Sequence, residues 1–382
     1  MIGSSQDFKL WALPRGLLGM VVLVAFVEGE LKRRAPDLAN ISAESWRESG
    51  RAASNHAPGC EVLCFGDSMV KFGVVPKVIE RQIGRSAYNL AVLNGLPPVN
   101  DLLYQRALRR GARPRALVVD GDLLQNDPRD SLRAWAELLE PFELIELVWT
   151  AQDPDLLLEL VLAQLFVSIR TRFEIGEQVR AVIEGRMRFH RIGLEPFRRN
   201  WESNRGAQIV ADRASELSFE DFNALADLFA TEWTCNPLNG DYVRRFLRRA
   251  DDRNVPVFWL LPPVHPTLQG WRDRVGWDDQ RLRFLVELQA EFPNMILVDA
   301  RHSGYGDDLI LDLSHLRRHG AYAFSTELAI LIAARLDGGP EALPRQVELP
   351  YYREWPTEIE LEDLSESLVA VQESIRTRRQ RR

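Results

Sequence analysis

The chain has 382 residues, of which 46% are hydrophobic, enough for one large globular domain or two ordinary ones, and this composition excludes a disordered chain. Its net charge of −7 argues against nucleic acid as a general partner. The three cysteines, Cys60, Cys64 and Cys235, give no disulfide framework, because an extended chain would hold the first two too far apart to bridge.

Residues 1–34 are predicted to be a membrane anchor or signal segment. The apolar run over residues 16–27 follows Lys9 and Arg15 and has the length of a signal-peptide core. Extending it back to residue 10 brings it near the ~20 residues of a membrane span. Because no small-residue cleavage site follows, we prefer an uncleaved signal-anchor over a cleaved signal peptide or a buried helix. The expected location is membrane-anchored and extracytoplasmic, although the basic residues 32–34 do not favour that orientation.

Residues 35–58 are polar and are predicted to form a linker. Strand and helix patterns then alternate. Strands are predicted over residues 61–65, 87–92, 116–120, 255–261 and 295–299, and helices over 76–83, 98–110 and 321–336. This alternation predicts an α/β domain built on a mostly parallel, doubly wound sheet.

Residues 128–254 are predicted to be a mostly helical insertion between the third and fourth strands. Residues 156–169 are apolar on almost every side, which indicates a buried helix, and residues 190–215 have a loop composition. An insertion at this edge of the sheet would act either as a lid over the site or as a subdomain that only adds bulk.

Residues 338–382 form a C-terminal extension with one amphipathic helix. Apolar residues recur there at spacings of three and four, which places them on one helix face: Leu361, Leu364, Leu368, Val371 and Ile375. This seam predicts docking onto the chain's own domain or, alternatively, a short coiled coil with a protein partner.

The first predicted strand ends in Gly66-Asp67-Ser68, which places a serine hydroxyl at the edge where open α/β sheets bind ligands. A serine nucleophile needs a base, and the base needs an orienting group. Asp312 precedes His315 by three residues just before a predicted helix, so a turn brings their side chains together. We therefore predict Ser68 as nucleophile, His315 as base and Asp312 as its orienting carboxylate, with Asp67 bracing the turn.

These two motifs, in this order at opposite ends of an α/β chain, resemble those of the SGNH, or GDSL-like, hydrolase superfamily. The resemblance covers residues 59–337 and implies a three-layer α/β/α (flavodoxin-like) domain with esterase or O-acyltransferase activity. It also implies that the backbone N–H groups of Ser68 and Gly95 bind the oxyanion. After the third strand the family has a conserved block with an asparagine that completes the oxyanion hole, and this sequence differs from it there. Either Asn126 reaches in to complete the oxyanion hole, or Asp122 occupies the place of the usual asparagine.

The remaining predictions concern the substrate and partners. His265 follows the fourth strand and either contacts substrate or is a loop residue held by prolines. His315 and His319 have a zinc-ligand spacing, but serine chemistry explains His315 better, and neither a metal nor an organic cofactor is predicted. The architecture is similar to that of anchored bacterial SGNH proteins acting on cell-envelope polymers, so an acyl ester or acylated carbohydrate is the expected substrate. The alternative is a non-catalytic SGNH-like binding or scaffold protein.

Overall fold

The computed structural model describes residues 15–33, 40–184, 193–211, 232–356 and 358–380. These residues contain one six-stranded sheet, and all its strands are parallel: β1 Val62–Phe65, β2 Ala87–Asn89, β3 Ala116–Asp120, β4 Val257–Leu261, β5 Met295–Asp299 and β6 Gln346–Glu348. The strand order is β2-β1-β3-β4-β5-β6. The winding reverses beside β1, and such a reversal opens a crevice at the carboxyl ends of the strands.

Both faces of the sheet are covered. Every residue of β1, β3 and β4 is buried, as expected for parallel strands with continuous apolar sequences. Within β1, Leu63 and Phe65 belong to one apolar core, whereas Val62 and Cys64 belong to a second core on the other face. The prediction of an α/β domain with a mostly parallel sheet is confirmed, and the two cores are consistent with a three-layer α/β/α arrangement.

Sixteen α-helices accompany the sheet in the described residues: α1 Arg15–Arg33, α2 Ile41–Asn55, α3 Ser68–Gly73, α4 Pro76–Ile83, α5 Pro97–Arg109, α6 Leu132–Leu138, α7 Pro141–Ala151, α8 Pro154–Leu165, α9 Val167–Arg170, α10 Arg172–Ile183, α11 Glu195–Ser203, α12 Pro237–Asp251, α13 Pro266–Val275, α14 Trp277–Glu291, α15 Arg318–Gly338 and α16 Leu364–Gln380. Short 3₁₀ turns cover Ala57–Gly59, Pro128–Ser131 and Pro340–Ala342. Helix α4 packs against α15, and α5 packs against both α12 and α2. Strand β6 was not predicted, because its three residues lie in a segment rich in glycine and proline.

The predicted linker over residues 35–58 is wrong where residues 41–55 form α2 and enter the core; residues 34–39 lie outside the described chain. Trp46 is fully buried, packs edge-on against Trp135 and donates from Nε1 to the Leu93 carbonyl at 2.7 Å. A Cβ on Gly50 would lie 2.6 Å from Leu138. The small residues that suggested a linker therefore allow α2 to approach its neighbours closely.

Two predictions within the insertion also fail. The stretch 190–215, predicted as loops, contains α11, while its residues 190–192 and 212–215 lie outside the described chain. The predicted buried helix over 156–169 is divided into α8 and α9. Leu156 and Leu160 are buried, whereas Leu158 is 58% and Leu165 69% exposed. Only one face of this apolar segment packs on the domain.

The apolar segment near the N-terminus forms α1, which contacts α9. The Glu28 carboxylate accepts hydrogen bonds from the backbone N–H groups of Val167 and Ser168, at 2.6 and 3.3 Å. Along α1 the apolar side chains are exposed: Leu17, Leu18, Met20, Val21, Val22, Leu23, Val24, Phe26 and Val27. In the described part of the chain, no helix combines the length and apolarity needed to cross a membrane. Residues 1–14 and 34 of the predicted anchor lie outside it.

The C-terminal helix α16 packs against α11. The Glu362 carboxylate accepts from Arg199 at 2.7 Å, and its carbonyl accepts from Asn200 at 2.8 Å. Leu361 is buried and Leu364, Leu368 and Val371 are partly buried, whereas Ile375 is 47% exposed. The start of the predicted seam thus docks on its own domain, and a protein partner for its end stays a prediction.

Candidate active site

The turn between β1 and α3 places Ser68 at the first position of α3. Gly66 has a φ of +137°, and a Cβ there would come within 2.2 Å of the Asp120 carboxylate, so glycine is required. The Gly66 N–H donates to the Asn100 side chain at 3.1 Å, and the Asp67 N–H donates to Asp120 at 3.1 Å. Neighbouring elements α5 and β3 therefore fix the turn that carries the serine.

The second part of the site is a tight hairpin just before α15. Ile310 and Leu316 pair across it in an antiparallel bridge. At its tip, Asp312 Oδ1 accepts hydrogen bonds from the backbone N–H groups of Ser314 at 2.8 Å and His315 at 3.0 Å. The three-residue spacing seen in the sequence therefore corresponds to a turn that the aspartate closes with its own side chain.

The two parts meet in a continuous chain of hydrogen bonds. His315 Nε2 lies 2.7 Å from Ser68 Oγ, and His315 Nδ1 lies 2.7 Å from Asp312 Oδ2. The ring of Phe72 packs against the imidazole at a centroid distance of 4.5 Å. Ser68 is half-buried and the His315 side chain is 21% exposed, so both remain open to a substrate. A hydroxyl, a base and an orienting carboxylate occupy the relative positions that nucleophilic catalysis requires.

The charge on Asp312 determines which proton His315 can move. Burial alone would raise the pKa of Asp312, but hydrogen bonds from the His315 ring and from two backbone amides outweigh it and hold that pKa below its usual value. An ionised Asp312 accepts the Nδ1 proton of His315. The free Nε2 of the imidazole can then accept the Ser68 hydroxyl proton.

Two buried carboxyls lie beneath the serine. Asp67 caps α3 by accepting from the Met69 N–H at 2.7 Å, and both Asp67 and Asp120 are 2% exposed. Burial and repulsion from Asp120 raise the pKa of Asp67 well above its usual value, and burial raises the pKa of Asp120 to about 6. A proton held by this pair relieves the repulsion between the two side chains.

Asp122, one of the two residues predicted for the third block, lies in an ion-pair network. Its carboxylate accepts from Arg272 at 2.8 Å and from Arg281 at 2.6 Å. Burial alone would raise the pKa of Asp122, but the two guanidinium groups outweigh it and lower that pKa. The negative charge that would oppose an oxyanion is therefore balanced by two arginines on α13 and α14.

The predicted oxyanion donors differ in their availability. The Ser68 N–H stands at the first position of a helix, where no intrahelical acceptor exists. The Gly95 N–H donates to the Val92 carbonyl at 3.1 Å. A Cβ on Gly95 would lie 2.3 Å from the Gly66 carbonyl, so glycine at this position packs directly against the serine turn. Gly95 is thus adjacent to the site, with its N–H already engaged.

Asn126 and His265 lie around the same edge. The Asn126 carbonyl accepts from the Asn239 side chain at 2.9 Å, and the described residues give the Asn126 side chain no hydrogen bond to Ser68 or His315. The His265 N–H donates to the Leu313 carbonyl of the hairpin at 2.9 Å. Its ring caps α13, with Nδ1 accepting from the Thr267 N–H at 3.2 Å, and its Nε2 lies 3.1 Å from Asp307.

A small apolar cluster lies next to Ser68 and Asp312 in the chain. It is separate from the two main cores and consists of Met69, Val264 and Leu268, with Trp271 and Leu313 packed against it. Met69 follows Ser68 in the chain and Leu313 follows Asp312. Met69, Val264 and Leu268 are 5%, 2% and 2% exposed, so the cluster is buried packing next to Ser68 and the hairpin.

Several residues that shape the site were missed at the sequence level. Asp120 could have been found from the sequence, because its carboxylate follows four apolar residues at the end of a predicted strand. Asn89, at the end of β2, donates from Nδ2 to the carbonyls of Val70 and Val74 at 2.8 Å and holds α3 in place. Asn100 lies inside a predicted helix and gave no signal, because its role depends on that helix lying beside the serine turn.

The fold and the site define an α/β protein with a Ser–His–Asp hydrogen-bond chain at the carboxyl edge of a parallel sheet. Comparisons with models of protein families, with curated proteins and with solved structures found no match. Within the described ranges, no three His, Cys, Asp or Glu side chains are grouped so that they could hold a metal ion.

Proposed function

We propose that the protein is a serine-dependent enzyme of the SGNH-like type that hydrolyses acyl esters or transfers their acyl group to a hydroxyl. The observation that supports this proposal is the chain of two 2.7 Å contacts from Ser68 through His315 to Asp312. Its position at the carboxyl edge, next to the reversal of strand order, is where α/β sheets bind ligands. The two motifs on which the SGNH resemblance rests contain the three residues of this hydrogen-bond chain.

The reaction would proceed in two steps. Ser68 Oγ attacks the acyl carbonyl carbon while His315 Nε2 accepts its proton, and the tetrahedral intermediate collapses as His315 returns that proton to the leaving alcohol. The acyl group is then esterified to Ser68. In the second step His315 deprotonates water or a sugar hydroxyl, which attacks the acyl-enzyme. The bond between the acyl carbon and Ser68 Oγ then breaks as His315 returns the proton to Ser68. Asp312 remains ionised throughout and stabilises the imidazolium.

The Ser68 N–H is the first oxyanion donor of this proposal. Gly95 becomes a second donor if its turn gives up the hydrogen bond to Val92, and Asn126 becomes one if its loop moves inward. Catalytic hydrogen bonds often form fully only with substrate bound. The Arg272 and Arg281 partners of Asp122 favour catalysis, because they balance a carboxylate that would otherwise oppose the oxyanion.

An acylated cell-envelope carbohydrate is the substrate class that the resemblance suggests. Water as acceptor would make the protein an esterase, and a sugar hydroxyl would make it an O-acyltransferase.

We further propose that the protein works at an extracytoplasmic membrane surface. Helix α1 exposes apolar side chains around its circumference, which suits an apolar surrounding medium. The neighbouring insertion adds Trp149 at 82%, Ile145 at 64% and Phe173 at 70% exposure. Glu28 ties α1 to α9, which also contacts α8 and α10. Tryptophan is enriched where proteins meet the bilayer interface.

Hydrolysis of p-nitrophenyl acetate tests the catalytic proposal. The Ser68→Ala variant should lose at least about 10³-fold in kcat/KM, because no nucleophile remains. The matched control is Ser54→Ala on α2, which should retain the activity of the unmodified protein. Equal rates for Ser68→Ala and the unmodified protein would remove the proposal and favour a non-catalytic scaffold.

A further inference from the structure

A cavity of about 860 Å³ opens beside α3. Its walls come from α2, α3, β2, α11 and α16, which are distant from one another in sequence. None of Ser68, His315 and Asp312 lines it. A volume of this size lies within the ~300–1,000 Å³ typical of small-molecule sites. The cavity is therefore large enough to hold a ligand of its own.

Lys71 forms part of this cavity and is an unusual residue to find there. Its side chain is 1% exposed, and its Nζ lies 5.0 Å from the centre of the Trp201 ring. Within the described residues, its amine has no hydrogen-bond acceptor and no carboxylate partner. Burial, only partly offset by Glu48, lowers the pKa of Lys71 to about 7. A buried ammonium without an anion is costly, so a ligand that supplies the anion would be stabilised.

The cavity walls carry more positive than negative side chains. Three glutamates line the cavity, together with six basic residues: Lys71, Arg47, Arg51, Arg198, Arg199 and Arg378. Most of these arginines are already paired, as Arg51 with Glu48 and Arg198 with Glu195, each at 2.6 Å. Among the described residues, the cationic groups of the cavity wall left for a ligand are those of Lys71 on α3 and Arg378 on α16.

An aromatic surface completes the site. The His56 ring stacks on Tyr88 at a centroid distance of 5.1 Å and an angle of 2°. Both residues line the cavity, and His56 is exposed. A flat aromatic pair beside a basic pocket can support the ring of a ligand whose anionic group reaches Lys71.

We propose that this cavity is a second ligand site, which binds a small ring-bearing anion through contact of its carboxylate or phosphate group with Lys71 Nζ. The ammonium offers three donors to the anion, and the aromatic pair of His56 and Tyr88 faces the remainder of the ligand. Occupation would also hold α16 against α2 and α3, because all three helices contribute to the cavity walls.

Isothermal titration calorimetry on the full chain, with inorganic phosphate and with glucuronate as probes, tests the site. At least one probe should bind, and Lys71→Met should weaken its binding by about tenfold or more, a change of ~1.4 kcal/mol. The probe that binds identifies phosphate or carboxylate as the recognised group. Lys77→Met on α4 is the matched control and should bind like the unmodified protein, as should Ser68→Ala. Binding of neither probe, or equal binding by Lys71→Met, would overturn the proposal.

A second measurement does not depend on the folding of any variant. Reductive methylation of the unmodified protein, mapped by peptide mass, reports the accessibility of each lysine amine. The bound probe should reduce modification of Lys71 severalfold and leave Lys77 unchanged. Equal modification of Lys71 with and without a bound probe would place that probe elsewhere.

Discussion

Asp312 holds the His315 ring with one carboxylate oxygen and the backbone of its own hairpin with the other. The ring is therefore oriented before any substrate arrives, and His315 Nε2 already lies 2.7 Å from Ser68 Oγ. In the proposed reaction, this preorganisation avoids the entropic cost of orienting the ring, which would otherwise be added to the activation barrier. The hairpin explains how Asp312 can orient the imidazole of a residue only three positions further along the chain.

Replacing Asp312 with asparagine should separate these two functions. The amide oxygen of Asp312→Asn can still accept from the turn, but the charge that stabilises the imidazolium is lost. We expect kcat for p-nitrophenyl acetate to fall by about 10²–10⁴-fold with little change in KM. Asp308→Asn, an exposed carboxylate before the same hairpin, is the control and should retain its kcat. An unchanged kcat in Asp312→Asn would contradict the assigned role.

The buried Asp67 and Asp120 pair predicts a dependence of stability on pH. Because the folded-state pKa of Asp120 is raised to about 6, the folded protein binds a proton more tightly than the unfolded chain, whose value is near 3.8. The contribution of this group to stability is therefore full below about pH 4 and is lost as the pH rises through 6.

Asp120→Asn should remove the part of this dependence that comes from Asp120, while keeping an oxygen that accepts the Asp67 N–H. Between pH 4.5 and pH 7, the unfolding free energy of the unmodified protein should fall relative to that of the variant by about 2 kcal/mol. Urea denaturation at the two pH values measures the difference. Parallel profiles for the two proteins would show that Asp120 is not the buried group responsible.

At the scale of elements, α2 is the clearest case in which packing decides the structure. Its composition is that of a linker, yet Trp46 is fully buried between α2 and its neighbours. Trp46→Ala should lower the unfolding free energy by about 3–5 kcal/mol, as for other large core truncations. Ile41→Ala, on the same helix and 36% exposed, should lose far less. Equal losses in urea denaturation would mean that α2 does not belong to the core.

Continuous apolar runs made most strands predictable. Residues 116–120 and 295–299 form β3 and β5 with the predicted bounds, because buried parallel strands have such runs. Strand β6 escaped detection because only Val347 of its three residues is apolar and partly buried. Helix α11 escaped detection because Arg, Asn and Gly in residues 190–215 suggested loops. Its Asn200 side chain is buried by hydrogen bonds with Ile209 and with Glu362, which is 162 residues away in sequence.

The site was predictable where the signal was local. The Asp312 and His315 spacing and the Ser68 turn could be read directly, and the structure brings all three residues together. The roles of Asn100 and of Lys71 could not be read, because each depends on elements far away in the chain. The same holds for Asp122, whose arginine partners lie about 150 residues further on.

At the scale of the whole molecule, the exposed apolar side chains of α1 and of the insertion predict that the protein binds membranes. Ile145 and Trp149 lie on one face of α7 and are both exposed. Burial of each in lipid is worth about 1.5–3 kcal/mol, so replacing both by serine should lower vesicle binding by about tenfold or more.

Co-sedimentation with vesicles of phosphatidylcholine and phosphatidylglycerol measures this effect. The matched control replaces Val286 and Ile330, on α14 and α15, which are 46% and 43% exposed outside this surface. That control should bind vesicles like the unmodified protein. If both double variants bind equally well, the helices of the insertion do not face the membrane.

The measurement that tests the central claim most directly is active-site labelling with a fluorophosphonate, mapped by peptide mass. A fluorophosphonate reacts with an activated serine hydroxyl and loses fluoride, so it requires no knowledge of the natural substrate. We predict a single modified serine, Ser68, and loss of this modification in His315→Ala. Absence of labelling at Ser68, or equal labelling in His315→Ala, would contradict a Ser68 nucleophile activated by His315.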